Sequence, residues 1–139
     1  MKFLLFFFFC IAVVNGLLGL GRLQSIAVIG KLTCNGAPAK DVKIKLYEKE
    51  KIKDIKLDEM YTDASGTFRV SGSKTEITNI DPKVNIYHRC DRSAPCYRKF
   101  GITIPDQYIS AGGTPRKDYD IGTLNLGNIY AGETVDCIN

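Results

Sequence analysis

The chain has 139 residues, 45% of them apolar and 24% charged, which suits one folded domain and is too short for two large ones. Its β-branched and aromatic content argues against disorder. Nineteen Lys and Arg against fifteen Asp and Glu leave a formal charge of +4, a mild excess, so no nucleic-acid partner is expected.

Lys2 precedes an unbroken apolar run of 12 residues, Phe3 to Val14. That is short of the roughly 20 needed to cross a bilayer as a helix. Val14-Asn15-Gly16 places compact residues where a signal peptidase reads, so residues 1–16 are expected to be an export signal with cleavage after Gly16. The competing reading is a buried N-terminal helix. Residues 17–139 then form one secreted domain with no transmembrane segment.

Beyond the signal the apolar period is two. Ile26, Val28, Leu32 and Cys34 alternate with Ser25, Ala27, Lys31 and Thr33, with Gly30 in phase with the first set. Asn35-Gly36-Ala37-Pro38 has turn chemistry, and Val42, Ile44 and Leu46 then alternate with Asp41, Lys43 and Lys45, as a half-buried strand does. Glu48 to Asp58 is charged and lacks an apolar period, which predicts an exposed loop. Tyr61-Thr62 ends a short strand and Asp63-Ala64-Ser65-Gly66 turns. Phe68 and Val70 point inward from the next strand.

Val84, Ile86 and His88 share a face, as do Phe100, Ile102 and Ile104 on a strand that Pro105 stops. Residues 105–110 allow one short turn of helix, and Gly112-Gly113-Thr114-Pro115 marks a loop. Ile121, Leu124, Leu126 and Ile129 are apolar but irregular, and Val135 belongs to a last short strand. Seven or eight short strands with frequent turns predict an all-β, antiparallel sandwich of two sheets.

Four cysteines remain after the signal: Cys34, Cys90, Cys96 and Cys137. An even number in an exported chain predicts two disulfides, with three pairings open. Cys90 and Cys96 flank a short loop between two strand-like segments, so chain geometry favours Cys90 with Cys96, leaving Cys34 with Cys137. Four thiols could also hold zinc, but no C-x-x-C occurs and there is one histidine, so no metal or other cofactor is expected.

Two segments carry a resemblance. One is Val28-Ile29-Gly30-Lys31-Leu32-Thr33-Cys34-Asn35-Gly36-Ala37-Pro38; the other is Thr62-Asp63-Ala64-Ser65-Gly66-Thr67-Phe68. With Ile86-Tyr87-His88-Arg89-Cys90, Tyr119-Asp120-Ile121-Gly122-Thr123-Leu124-Asn125-Leu126 and Gly132-Glu133-Thr134-Val135-Asp136-Cys137, the series resembles the nematode transthyretin-like family of secreted proteins. The likeness runs from about Gln24 to Cys137 and implies a prealbumin-like sandwich. Catalytic relatives of that fold, the hydroxyisourate hydrolases, use several histidines and a C-terminal Tyr-Arg-Gly-Ser. This chain has one histidine and ends Asp136-Cys137-Ile138-Asn139. Parity puts His88 on the inward face, and no G-x-S-x-G occurs, so catalysis is not expected.

The resemblance implies an extracellular binding or bridging protein that engages another protein or a cell surface. Arg89, Arg92, Arg98 and Lys99 surround the Cys90–Cys96 loop, and Arg116 and Lys117 add to them from the loop before the last strands. Guanidinium groups on a braced loop suit carboxylate, phosphate or lipid-headgroup recognition, although an ordinary solvated rim has the same composition. The alternative function is a carrier of a small apolar molecule, as in transthyretin, which requires an oligomeric channel.

Overall fold

Period-two alternation becomes two facing sheets in the computed structural model, which describes residues 20–139. The export signal and the first residues of the predicted domain lie outside the described residues. The strands in chain order are β1 (Arg22–Cys34), β2 (Ala37–Pro38), β3 (Lys43–Glu48), β4 (Ile55–Tyr61), β5 (Thr67–Glu76), β6 (Pro82–His88), β7 (Tyr97–Thr103), β8 (Ser110–Ala111), β9 (Asp118–Asn125) and β10 (Thr134–Asp136). A single 3-10 turn, Asp106–Tyr108, falls where one short helical turn is predicted.

The first sheet is organised around β1. It pairs antiparallel with β5 from Arg22 opposite Glu76 to Lys31 opposite Thr67, and β2 folds back on Thr33 and Cys34. Along the other edge β8 pairs with Gln24 and Ser25, and β9 runs parallel to β1 from Ala27 to Thr33. That parallel pair departs from an otherwise antiparallel sandwich. Its register shifts between Ile29 and Lys31. A Cβ on Gly30 would come within 2.5 Å of Ile121 Cγ1, so the glycine lets Ile121 close the gap at the irregularity.

The second sheet has the order β10-β7-β6-β3-β4. Ile26, Val28 and Leu32 of the first sheet share one buried core with Ile44, Leu46, Val84, Ile86 and Phe100 of the second. These are the residues that alternation assigns inward, because successive side chains on a strand point to opposite faces.

The corner between β4 and β5 follows from its side chains. Asp63 Oδ1 accepts the Ser65 and Thr67 amide hydrogens at 2.9 Å each, and Oδ2 accepts the Thr67 hydroxyl at 2.6 Å. Gly66 has φ +79, and a Cβ there would lie 2.2 Å from the Leu32 carbonyl oxygen. Only glycine satisfies both the left-handed backbone and the close approach to β1.

Two sequence expectations are corrected. Glu48–Asp58 is not one exposed loop: Glu48 ends β3 and is buried, and β4 begins at Ile55. Glu48 tolerates burial because its Oε2 accepts the Asp81 amide hydrogen at 2.7 Å; desolvation raises its pKa. As an edge strand pairing only with β3, β4 has no deeply buried face, and its sequence carries no apolar period. The strand count is ten rather than seven or eight because β2 and β8 are two residues each.

Candidate functional site

The end of the sandwich where β1 finishes and β6 hands over to β7 is braced by both disulfides. They join Cys34 to Cys90 and Cys96 to Cys137, with Cα separations of 5.6 and 4.3 Å. The predicted pairing of Cys90 with Cys96 and of Cys34 with Cys137 is therefore overturned. The register shows why. Cys90 continues the inward parity of Ile86 and His88, and the chain turns out of the ladder where Arg92 N–H donates to the Arg89 carbonyl and Asp91 takes φ 56. Cys90 thus crosses the sandwich to β1. Cys96 has a second neighbour, because β10 joins the free edge of β7 with Val135 opposite Arg98. Continuing that ladder by two residues brings Cys137 to Cys96.

The same parity disposes of Arg98. It lies on the inward face of β7 with Phe100, and its guanidinium is nearly enclosed. It donates to the Cys90 carbonyl at 2.8 Å, the Asn128 carbonyl at 3.0 Å and Glu133 Oε2 at 3.2 Å, with a further bond from Nε to Glu133 Oε1. The guanidinium holds the Glu133 carboxyl below its ordinary pKa, and Glu133 raises that of Arg98. The residue binds the protein's own chain. Its alternation with Phe100, Ile102 and Ile104 was the available sequence signal.

His88, opposite Arg98 in the ladder, is 3% exposed, as parity implies. Its Nδ1 accepts the Cys90 amide hydrogen at 3.0 Å, and its Nε2 has no partner among the described residues. Burial, reinforced by the Arg98 charge, pushes its pKa down to about 4.

Arg89 and Arg92 stay outside. Arg89 donates to the Pro95 carbonyl at 2.8 Å and the Cys96 carbonyl at 3.4 Å, with its guanidinium 3.9 Å from the centre of the Tyr97 ring. Arg92 donates to the Cys96 carbonyl at 3.3 Å. Both are exposed and held by carbonyls rather than carboxylates, so their charges are ordered without being neutralised.

The other three rim residues lie elsewhere. Lys99 is on the outward face of β7, 3.9 Å from Asp136. Arg116 and Lys117 precede Asp118, which pairs with Ala27, seven positions up β1 from Cys34; that is roughly 23 Å at the rise of a strand. There the Arg116 amide donates to Ser110 Oγ at 2.9 Å, and Lys117 Nζ sits 5.4 Å from the Tyr108 ring centre. The six predicted rim residues are thus not one patch, because strand order separates them.

Beside Arg89 a cleft of about 350 Å³ opens against Ala39, Val42, Leu126 and the Cys34–Cys90 bridge, with Lys40 at its lip. Its flank is tied down by Asn35, whose role here goes beyond the turn chemistry that its sequence context shows. The Asn35 amide side chain donates to both Asp91 carboxylate oxygens at 2.9 and 3.0 Å, and its backbone N–H donates to Asn125 Oδ1 at 2.9 Å. Three loops meet at that residue.

Two other groupings of acids and thiols have metal-like spacing. In one, Cys34 and Cys90 are already bonded to each other beside Asp91; in the other, Glu48 accepts the Asp81 amide hydrogen while Glu50 and Glu76 pair with Lys74, whose ammonium is 3.6 Å from Glu50 and 3.1 Å from Glu76. Oxidised sulfur and an internal ammonium account for both. No helix among the described residues is long and apolar enough to cross a membrane.

These features define a small two-sheet β-sandwich whose loops are cross-linked at one end. The profile of the transthyretin-like family matches residues 29–105. Among relatives from Caenorhabditis elegans, transthyretin-like protein 5 is 46% identical over 125 residues, covering 86% of this chain and 88% of its own. Transthyretin-like protein 2 is 39% identical, with 86% of each chain covered. Transthyretin-like protein 46 is 43% identical over 85% of this chain and 68% of its own. The chain belongs to the transthyretin-like family.

Proposed function

We propose that the protein is a secreted, non-catalytic binding or bridging module, and that its disulfide-braced end recognises an anionic group on another protein or on a cell surface. One observation carries the reading: Arg89 and Arg92 are exposed, unneutralised and oriented by backbone carbonyls, with Arg89 lining a cleft. An arginine fixed by its own loop loses little conformational entropy when it meets a carboxylate or phosphate. Secretion is supported by the two cross-links, which persist in oxidising compartments. The chemistry supports binding over bond-breaking, since the one histidine is enclosed and its Nδ1 is engaged.

The test uses the oxidised chain and the double charge reversal Arg89→Glu with Arg92→Glu. Capture of a partner from extracellular fluid, and association with vesicles containing phosphatidylserine, are measured beside the parent. Loss of either with an unchanged melting temperature supports the assignment. Unchanged capture and unchanged vesicle association refute it.

A further inference from the structure

The positive excess of the chain does not lie with its arginines. On the outward face of the second sheet the register brings three rows together: Lys43, Tyr87, Lys99 and Thr134; Lys45, Asn85 and Gly101; Tyr47, Lys83 and Thr103. Lys56, Glu59 and Tyr61 of β4 extend the face, and the loop of residues 49–54 rims it. With Asp136, two residues beyond Thr134 on β10, face and rim together hold eight lysines and four carboxylates. The rest of residues 20–139 hold ten cations and eleven carboxylates. All of the net charge of the described protein is therefore on one side.

That side is grooved. Two adjoining clefts of about 450 and 630 Å³ share Tyr47, Tyr87 and Lys99 as floor, between the residue 50–54 loop and the Thr134–Asn139 segment. Tyr87 points outward yet is buried, with Lys45 Nζ at 5.1 Å and Lys99 Nζ at 5.6 Å from its ring centre. Gly101 occupies the middle row, and a Cβ there would lie 2.9 Å from Asn85 Oδ1. The glycine keeps the floor low where the neighbouring rows carry long side chains.

The four carboxylates are weakly committed. Asp136 is 3.9 Å from Lys99, Glu59 is shared between Lys45 at 4.0 Å and Lys56 at 3.3 Å, and only Asp54 pairs closely, with Lys83 at 2.6 Å. Glu50 turns away to Lys74 at 3.6 Å. Lys49, Lys51 and Lys53 are exposed and make no ion pair among the described residues. Solvent-facing pairs of this kind are worth little and yield to a denser anion.

We infer that this lysine-lined groove is a binding site for a linear sulfated or carboxylated polysaccharide. The residue 50–54 loop and the Thr134–Asn139 segment flank the floor, and an extended chain can follow the lysine rows between them. Of the tyrosines on this face Tyr87 is buried, which leaves Tyr47 and Tyr61 for a base to stack on, so oligo-dT competition separates a nucleic acid from a polysaccharide. Compact ammonium groups act as point charges toward sulfate and carboxylate without demanding paired geometry. The groove adjoins the disulfide-braced end, since Cys137 lines one of its clefts and Tyr87 lines both the groove and the cleft beside Arg89, but its cations are the lysines rather than those arginines.

Heparin serves as the probe, with the oxidised chain measured on immobilised heparin and by titration at physiological ionic strength. Saturable binding is expected. Lys51→Glu with Lys53→Glu, both on exposed side chains, weakens it about thirtyfold. Lys83→Glu with Lys99→Glu does the same, Gly101→Phe blocks it, and Arg116→Glu with Lys117→Glu, exposed on the other sheet, leaves it unchanged; Arg89→Glu with Arg92→Glu is run alongside, and melting temperatures verify each variant. Flow-through of the parent protein overturns the proposal. So does loss of binding only with the arginine pair, or equal competition for the site by oligo-dT or phosphatidylglycerol vesicles.

Discussion

Arg98→Ala distinguishes an arginine that braces from one that recognises. The substitution leaves the Glu133 side chain, only 10% exposed, without its counter-charge, and strips the Cys90 and Asn128 carbonyls of a donor. Breaking an enclosed ion pair by removing one member costs about 3–5 kcal/mol, because the remaining charge stays buried. At about 4 °C per kcal/mol for a domain of this length, the melting temperature should fall by roughly 10–20 °C. The assay is thermal unfolding by circular dichroism at pH 7 with both disulfides intact. Arg92→Ala, which removes one exposed bond of 3.3 Å, should stay within about 2 °C of the parent. Replacing both partners, Arg98→Met with Glu133→Leu, should recover most of the loss, since no charge is then stranded. An Arg98→Ala protein melting within about 2 °C of the parent would refute the clamp.

The single histidine permits a second test. His88 has a folded pKa of about 4 against an ordinary value of 6.5, so the unfolded chain takes up its proton first as pH falls. Stability from this group is complete above pH 6.5 and is lost between 6.5 and 4, amounting to about 3 kcal/mol. The one imidazole resonance set should titrate near pH 4 by NMR, and His88→Gln should flatten the stability profile over that window; titration near 6.5 would contradict the buried placement. Glu133, held low chiefly by its bonds from Arg98, acts with the same sign in the carboxylate range. Disulfide mapping by mass spectrometry should return Cys34 with Cys90 and Cys96 with Cys137. Cys137 is exposed and Cys90 buried, so limited reduction should open Cys96–Cys137 first. Removing either bridge costs roughly 4 kcal/mol by loop-closure entropy. A peptide linking Cys90 to Cys96 would disprove the fold of this end.

What could be read along the chain was whatever depends on neighbouring residues. Asp63 and Gly66 announce their corner because the bonds that make it span four residues. His88 is legible as an inward residue because Val84 and Ile86 set its parity. Arg98 was equally legible by that rule, but its charge drew it toward the rim reading. β4 was not legible, since an edge strand with both faces half wet has no alternation to show.

The amino-acid sequence by itself determined the inner and outer face of each long strand, the tight corner at Asp63–Gly66 and the resemblance to its family, because all three rest on local spacing and residue type. Strand order belonged to the tertiary structure alone. It set β10 beside β7 and Cys34 across from Cys90, and so chose the disulfides. It sent Arg116 and Lys117 away from Arg89, and gathered lysines from β3, β4, β6 and β7 onto one grooved face. A net charge of +4 is mild when spread over a surface and strong when one sheet collects it; which of these holds depends on contacts between residues tens of positions apart, and no local pattern encodes those.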